Sequence, residues 1–406
     1  MNKINGGVTA AKGFQAASAA AGIKYQGRTD MALVYTESPA VCAGTFTTNV
    51  VKAAPVLWDK ELVASGKAVH AVVLNSGIAN ACTGEEGKSL NYFMAEEIAK
   101  QIQAKPEEVL TASTGVIGMQ LAKEPISKGA VLLKESLADT IEAGTKAAEA
   151  IMTTDTVSKQ AAASFEVDGV TVTVGGMSKG SGMIHPNMAT MLSVVTTDAM
   201  ISHDDLQELA SEIVSDSFNM ISVDRDTSTN DTYLVLANGV SGVTIEKGTK
   251  AYDDFKEVLA YVSTDLAKQM AADGEGCTKL FEVQVVNCAS KEKAKVLSKS
   301  VITSNLVKTA VYGSDANWGR ILCALGYAGE DFDPEIIDLT LEAKGESLVL
   351  VQDGVATDYS EEKATELLSQ EKVTVICDMK EGSASATAWG CDLTYDYVKI
   401  NGDYRS

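Results

Sequence analysis

Histidine is scarce in this sequence: His70, His185 and His203 are the three in 406 residues. None sits at metal-ligand spacing, so no metal site is expected. A Ser-His-Asp triad would have to recruit one of the same three. Proline is also sparse, and six residues leave little room for a Pro-rich linker. No Cys-x-x-Cys pair occurs among Cys42, Cys82, Cys277, Cys288, Cys323, Cys377 and Cys391. An odd number at wide spacing points to buried free thiols in a reducing cytoplasm. Basic residues fall short of acidic ones, 34 against 55, for a formal charge of −21. A surface this acidic repels phosphate backbones, which argues against nucleic-acid binding. No stretch approaches 18 consecutive apolar residues, so no membrane-spanning helix is expected. The Ala-rich patch at 16–21 lacks a run of Leu, Val or Phe, and Gly and Lys interrupt its surroundings, so no signal peptide is expected either.

What is present is a mixed pattern, over a length that suggests two or three domains at about 150 residues each. Strand-like runs rich in Val, Ile and Thr lie at 31–37, 69–75, 165–176, 192–197, 232–237, 281–286, 335–341, 347–352 and 372–379. Helix-like runs lie at 88–104, 128–152, 204–218 and 250–272. The run at 128–152 places Leu132, Leu133, Leu137, Ile141 and Ala148 near one helical face. Ser202 is a candidate N-cap, with Asp204 and Asp205 favoured in the first turn by the helix dipole. VDG at 167–169 and NGV at 238–240 read as turns. The class is α/β or α+β, with a soft boundary near 280 and a smaller unit over 281–406.

Small polar residues concentrate in five loops: LNSGIANACTG (74–84), TASTGVIG (111–118), GGMSKGSGMIHPNMATML (175–192), SVDRDTSTNDT (222–232) and YGSDANWGR (312–320). Glycine permits close backbone approach, and Thr, Ser and Asn supply short hydrogen bonds. Any one loop is as readily an ordinary turn. Five of them together suggest a composite polar site. GxSxG is absent, and Gly180-Ser181-Gly182 is not a nucleophile elbow. No GxxxxGK[ST] phosphate loop is present. One mechanism needs no histidine. An internal Thr attacks its preceding carbonyl, and the ester hydrolyses. The residue then becomes a new N-terminus whose α-amine, of ordinary pKa about 7.7–8.0, serves as base. Met188-Ala189-Thr190-Met191, entered from a glycine-rich run, has the residues for this, and Ser113-Thr114-Gly115 offers an oxyanion pocket.

Taken together, KGSGMIHPNMATML, STGVIG, NSGIANACTG, MTTDT, DTSTNDT, DGEGCTK and GSDANWGRI closely resemble the bifunctional ornithine acetyltransferase/N-acetylglutamate synthase family of arginine biosynthesis. The resemblance runs over nearly the whole chain. It implies self-cleavage between Ala189 and Thr190 into an α chain (1–189) and a β chain (190–406). It implies Thr190 as nucleophile, taking acetyl from N-acetylornithine and passing it to glutamate in ping-pong order. Acetyl-CoA is implied as an alternative donor substrate, with no cofactor. Thr114 and Gly115 are implied as the oxyanion hole, and Thr153, Lys179, Thr190, Glu275, Asn401 and Ser406 as substrate contacts. The implied fold is an α+β sandwich with its sheets packed between helices, of the aminopeptidase DmpA type. It resembles the N-terminal-nucleophile hydrolases without sharing their connectivity. The implied assembly is a heterotetramer of two α and two β chains. The chain departs from the family at Arg225, where glycine is the more frequent residue.

The chemistry of these positions fits the resemblance. Lys179 can meet a substrate carboxylate as a point charge, and Glu275 can meet the ornithine ammonium. Each also has a plainer reading: Lys179 as a solvated lysine, Thr114-Gly115 and Thr153 as turn caps, Glu275 as an acidic turn, Asn401 and Ser406 as a frayed tail. Asn75, Asn80 and Thr83 are further pocket formers. Two alternatives stay open: a self-processing amidase or aminopeptidase with water as acceptor, and a non-enzymatic acidic binding protein whose chain stays intact.

Overall fold

The structure, a computed structural model, describes residues 1–185 and 191–403. The expected cleavage pair Ala189 and Thr190 and the terminal Ser406 lie outside the described residues.

Among the described residues, nine strands form the first sheet. Across it run Asn2–Ile4, Lys159–Val167, Val170–Lys179, Leu192–Thr197, Thr232–Ala237, Met31–Phe46, Val69–Asn75 and Val109–Ser113, with Phe14–Ala19 also paired to Met31–Phe46. Strands from before and after position 190 interleave, so the implied α and β chains would share one sheet. Seven strands form the second sheet, in the order Ile221–Ser222, Ala384–Cys391, Leu280–Cys288, Lys372–Asp378, Asp338–Ala343, Glu346–Gln352 and Val355–Ala356.

The two central strands of the first sheet are apolar on both faces. Leu192, Val194, Leu234 and Leu236 point to one side; Val195, Tyr233 and Val235 point to the other. This alternation follows from the strand's two-residue period, and burial of both faces explains the near-continuous runs LSVVTT and TYLVLA. Helices Ala54–Ala64 and Ile141–Ala150 cover the first side. Helices His203–Asp216 and Lys250–Ala272 cover the second. The Ser202 side chain caps the former by accepting from the Asp205 N–H.

Three local expectations change. The helix expected over 128–152 is two helices, Lys123–Glu135 and Ile141–Ala150. The break holds because Thr140 caps the second helix and Ala138 exchanges backbone hydrogen bonds with Ala16. The strand-like run at 165–176 is split into a hairpin, Lys159–Val167 and Val170–Lys179, at the turn expected over 167–169. Its turn residues Asp168 and Gly169 have φ of 50° and 81°, the pair of positive values that an Asp-Gly hairpin turn adopts. Of the cysteines, Cys82 and Cys323 are exposed rather than buried. No helix among the described residues is long and apolar enough to cross a membrane.

Candidate active site

Two strand ends converge. Val170–Lys179 finishes on Lys179, paired in register with Leu192, and Val109–Ser113 finishes on Ser113, paired with Asn75. Beside them lies a cleft of about 150 Å³ walled by Thr114, Gly115, Thr153, Lys179, Glu275 and Asn401. Every site residue implied by the resemblance that the structure describes therefore lines one cleft. Met191, the neighbour of Thr190, lines it too. A larger open groove of about 760 Å³, at Glu342, Lys344, Gln370 and Lys372, holds none of them.

Lys179 is buried, and its Nζ donates to Thr153 Oγ1 at 2.8 Å and reaches Thr114 Oγ1 at 3.4 Å. Behind it lies a charge network that sequence reading missed. Asp155 stands 3.7 Å from Lys179 Nζ and accepts from the Gly180 N–H at 2.6 Å, the Thr153 N–H at 3.0 Å and Lys159 Nζ at 2.7 Å. Lys159, wholly buried, donates onward to Asp273 at 2.6 Å. Two ammonium groups and two carboxylates thus share one buried cluster, the pairing that buried charges require. Burial pushes the Asp155 carboxyl up, but the Lys179 and Lys159 ammonium groups outweigh it and hold the group well below the usual carboxylate range. Burial pulls Lys179 down, and Asp155 opposes that pull.

Removing one member strands the others. Asp155→Ala should cost about 3–5 kcal/mol at pH 7, and denaturant unfolding measures it; a loss under about 1 kcal/mol would contradict the network. The native Asp155 pKa is depressed, so its contribution is complete above the unfolded value of about 3.9 and fades as pH falls toward the native one. The gap between wild type and variant should narrow only in strong acid.

The Thr114-Gly115 turn is pinned by two buried asparagines. Asn75 accepts from the Thr114 N–H at 3.0 Å and from Ser113 Oγ at 2.6 Å. Asn230 Nδ2 donates to the Ala79 and Ser113 carbonyls at 2.6 and 2.8 Å. Gly115 has φ of 131°, and a Cβ there would lie 2.3 Å from the Gly77 carbonyl carbon, so only glycine fits. Its N–H donates to no acceptor among the described residues. A free amide beside a threonine hydroxyl is the donor set that an acyl oxyanion needs.

Also lining the cleft, Glu275 donates its N–H to the Ser181 carbonyl at 2.8 Å and accepts from Asn401 Nδ2 at 2.8 Å. A Cβ on Gly182 would fall 2.2 Å from the Glu275 carboxyl carbon, so the glycine makes room for that side chain. Asn401 sits on the helix Tyr395–Asp403 rather than in a frayed tail. The loop leading toward Thr190 is tied to 222–232. Asp224 accepts from the Met183 and Ile184 N–H groups at 2.6 and 2.8 Å, and Thr227 Oγ1 donates to the His185 carbonyl at 3.0 Å. Arg225 in that loop has φ of 71°, the left-handed region that glycine enters at least cost. Burial holds His185 down to a pKa of about 4.

Some candidates do not reach the cleft. Asn75 acts from behind it. Thr83 Oγ1 donates to Asn80 Oδ1 at 2.8 Å, and both border a separate hollow. The segment 312–320 joins helices Asn305–Tyr312 and Trp318–Gly326 and borders a small apolar cavity instead. MTTDT and DTSTNDT, which contain Asp155 and Asn230, were the signals that could have exposed the supporting groups.

A model of the ArgJ family matches residues 15–406. The chain is 50% identical over 407 residues to the arginine biosynthesis bifunctional protein ArgJ 1 of Clostridium acetobutylicum, covering 99% of this chain and 98% of that one. It is 45% identical over 416 residues to the glutamate N-acetyltransferase of Methanocaldococcus jannaschii, covering both completely. Among solved structures it is similar to the arginine biosynthesis bifunctional protein ArgJ of Bacillus halodurans, at 45% identity and a TM-score of 0.50, over 52% of this chain and 98% of that one. With the family model spanning 15–406 and such relatives matching end to end, the chain belongs to the ArgJ family.

Proposed function

We propose that the protein transfers acetyl from N-acetylornithine to glutamate through an acetyl ester on Thr190, after cutting itself between Ala189 and Thr190. The observation that carries this reading is the Gly115 amide, which has no acceptor among the described residues, beside the Thr114 hydroxyl and next to the buried Lys179 ammonium. The name glutamate N-acetyltransferase of the M. jannaschii relative supports glutamate as acetyl acceptor. The solved B. halodurans chain supports the cut by its length: matched over 98% of itself, it covers 52% of this chain, and residues 190–406 are 217 of 406, or 53%.

Thr190 Oγ attacks the acetyl carbon, and its proton passes to the Thr190 α-amine. The oxyanion is held by the Thr114 hydroxyl and the Gly115 N–H. The C–N bond then breaks, and the proton goes to the departing ornithine amine. Glutamate's amine attacks the ester, gives up a proton to the same α-amine, and leaves as N-acetylglutamate while the Thr190 hydroxyl is restored. Lys179 receives the α-carboxylate of either substrate, Thr153 holds Lys179 in place, and Glu275 with Asn401 receives the ornithine ammonium. Ser406 is a further substrate contact by the resemblance. Acetyl-CoA serves as a second donor. The working assembly is two α and two β chains in the cytoplasm.

Purified protein given N-acetylornithine and glutamate should form N-acetylglutamate; acetate released without glutamate dependence would favour the amidase reading instead. Acetyl-CoA offered alone with glutamate tests the second donor. Because the α-amine must be unprotonated, kcat/KM should fall as pH drops through its pKa, about 7.7–8.0 before the site perturbs it. His185 has already lost its proton above about pH 4, so a rate limb near pH 4 alone would contradict the assignment.

A further inference from the structure

The proposed reaction carries a charge problem. Donor and acceptor share an α-carboxylate, but the ornithine side chain ends in an ammonium and the glutamate side chain in a carboxylate. Glu275 suits the first and repels the second. Two like charges about 4 Å apart repel by about 4 kcal/mol at the effective dielectric of a protein surface. The acceptor's side chain therefore needs a second place, cationic and within reach of the reaction centre.

A second hollow, of about 50 Å³, shares Gly115 and Thr153 with the main cleft and is walled also by Lys24, Arg28, Ser76 and Gly77. In a chain of charge −21 its two cations are unusual neighbours. Neither forms an ion pair at contact distance among the described residues, although Asp30 attracts Arg28 from further off: the Lys24 ammonium lies 5.2 Å from the centroid of the Tyr25 ring, and the Arg28 guanidinium donates to the Met152 carbonyl. Asp30 also borders the hollow, but its carboxylate accepts from the N–H groups of Ala21, Gly22 and Ile23 at 2.8, 3.0 and 2.6 Å. Those bonds fix the turn that carries Lys24 and Arg28. The volume holds a carboxylate and falls far short of the roughly 300 Å³ and more that larger ligands occupy.

We propose that the hollow formed by Lys24 and Arg28 beside Gly115 and Thr153 binds the side-chain carboxylate of the acceptor amino acid. The proposal rests on the acetyl-transfer reading above. It makes Arg28 and Lys24 the residues that select glutamate over neutral analogues such as glutamine.

The test compares wild type with Lys24→Gln, Arg28→Gln and the double variant. Glutamate affinity is measured by calorimetry, glutamate KM at saturating N-acetylornithine, and acetyl-enzyme formation by mass spectrometry without acceptor. Glutamate Kd and KM should each rise about tenfold per charge removed, the effect of about 1.4 kcal/mol. Acetyl-enzyme formation should stay within twofold, and the preference for glutamate over glutamine should shrink. Glutamate affinity unchanged within twofold in the double variant overturns the proposal. So does a parallel slowing of acetyl-enzyme formation, or a rise confined to the KM of acetyl-CoA, whose phosphates are the competing anion. A wild-type enzyme that forms no acetyl adduct, yet loses glutamate binding in the variants, overturns acetyl transfer and leaves the subsite standing.

Discussion

Thr190→Ala yields a single chain of 406 residues with no transferase activity. One hydroxyl is assigned two jobs: attack on the Ala189 carbonyl during maturation, then attack on the donor acetyl group. The strand Val170–Lys179 and the strand Leu192–Thr197 run side by side, with Lys179 opposite Leu192, and so hold both ends of the segment that carries Thr190. Removing the hydroxyl leaves that framework intact, so the variant should fold. Wild type should instead run as two fragments on a denaturing gel. Scaling 42.7 kDa by 189/406 and 217/406 gives about 19.9 and 22.8 kDa, and the heavier should begin Thr-Met-Leu-Ser. Thr190→Ser keeps the hydroxyl and drops the methyl that restricts χ1. It should cleave more slowly and retain part of the activity. An active Thr190→Ala chain, or one intact band from active wild type, contradicts the assignment.

Thr114→Ala should lower kcat by about 10²–10³ and leave glutamate KM nearly unchanged, as loss of one oxyanion donor does elsewhere. Asn75 and Asn230 hold Ser113 and the Thr114 N–H, and the Val116 N–H donates to the Gly77 carbonyl, so the turn should keep its shape without the hydroxyl. Gly115→Ala should do more harm. Its φ of 131° is a region that L side chains rarely adopt, and the added Cβ has the Gly77 carbonyl in its way. Gly115→Pro deletes the donor N–H outright and should abolish turnover. Steady-state kinetics with N-acetylornithine and glutamate reads all three. Near-normal transfer by Thr114→Ala would remove that hydroxyl from the oxyanion role.

Legibility in the sequence followed what each element depends on. The strands Leu192–Thr197 and Thr232–Ala237 and the helix Lys250–Ala272 were readable to the residue, because their apolar pattern and flanking turns are local. Phe14–Ala19 was not, because its Ala and Ser side chains carry little strand preference and Met31–Phe46 supplies the pairing. The helix Tyr395–Asp403 buries no residue among its described positions, so no apolar stripe announced it. In the site, resemblance gathered Thr114, Gly115, Thr153, Lys179, Glu275 and Asn401 into one set, and the fold lines one cleft with them. The Asp155–Lys159–Asp273 network stayed hidden because Lys159 and Asp273 lie 114 residues apart. A charged residue reads as solvated until the fold shows what buries it. Lys24, half-buried, and Arg28, exposed, stayed unread because no motif singled them out.

The most direct test of the central claim is mass spectrometry of the cleaved enzyme after incubation with N-acetylornithine and no glutamate. The account predicts one acetyl group on the 217-residue β chain, at Thr190, lost when glutamate is added and recovered as N-acetylglutamate. An unmodified β chain in an enzyme that still transfers acetyl, or acetyl on any residue other than Thr190, would contradict it.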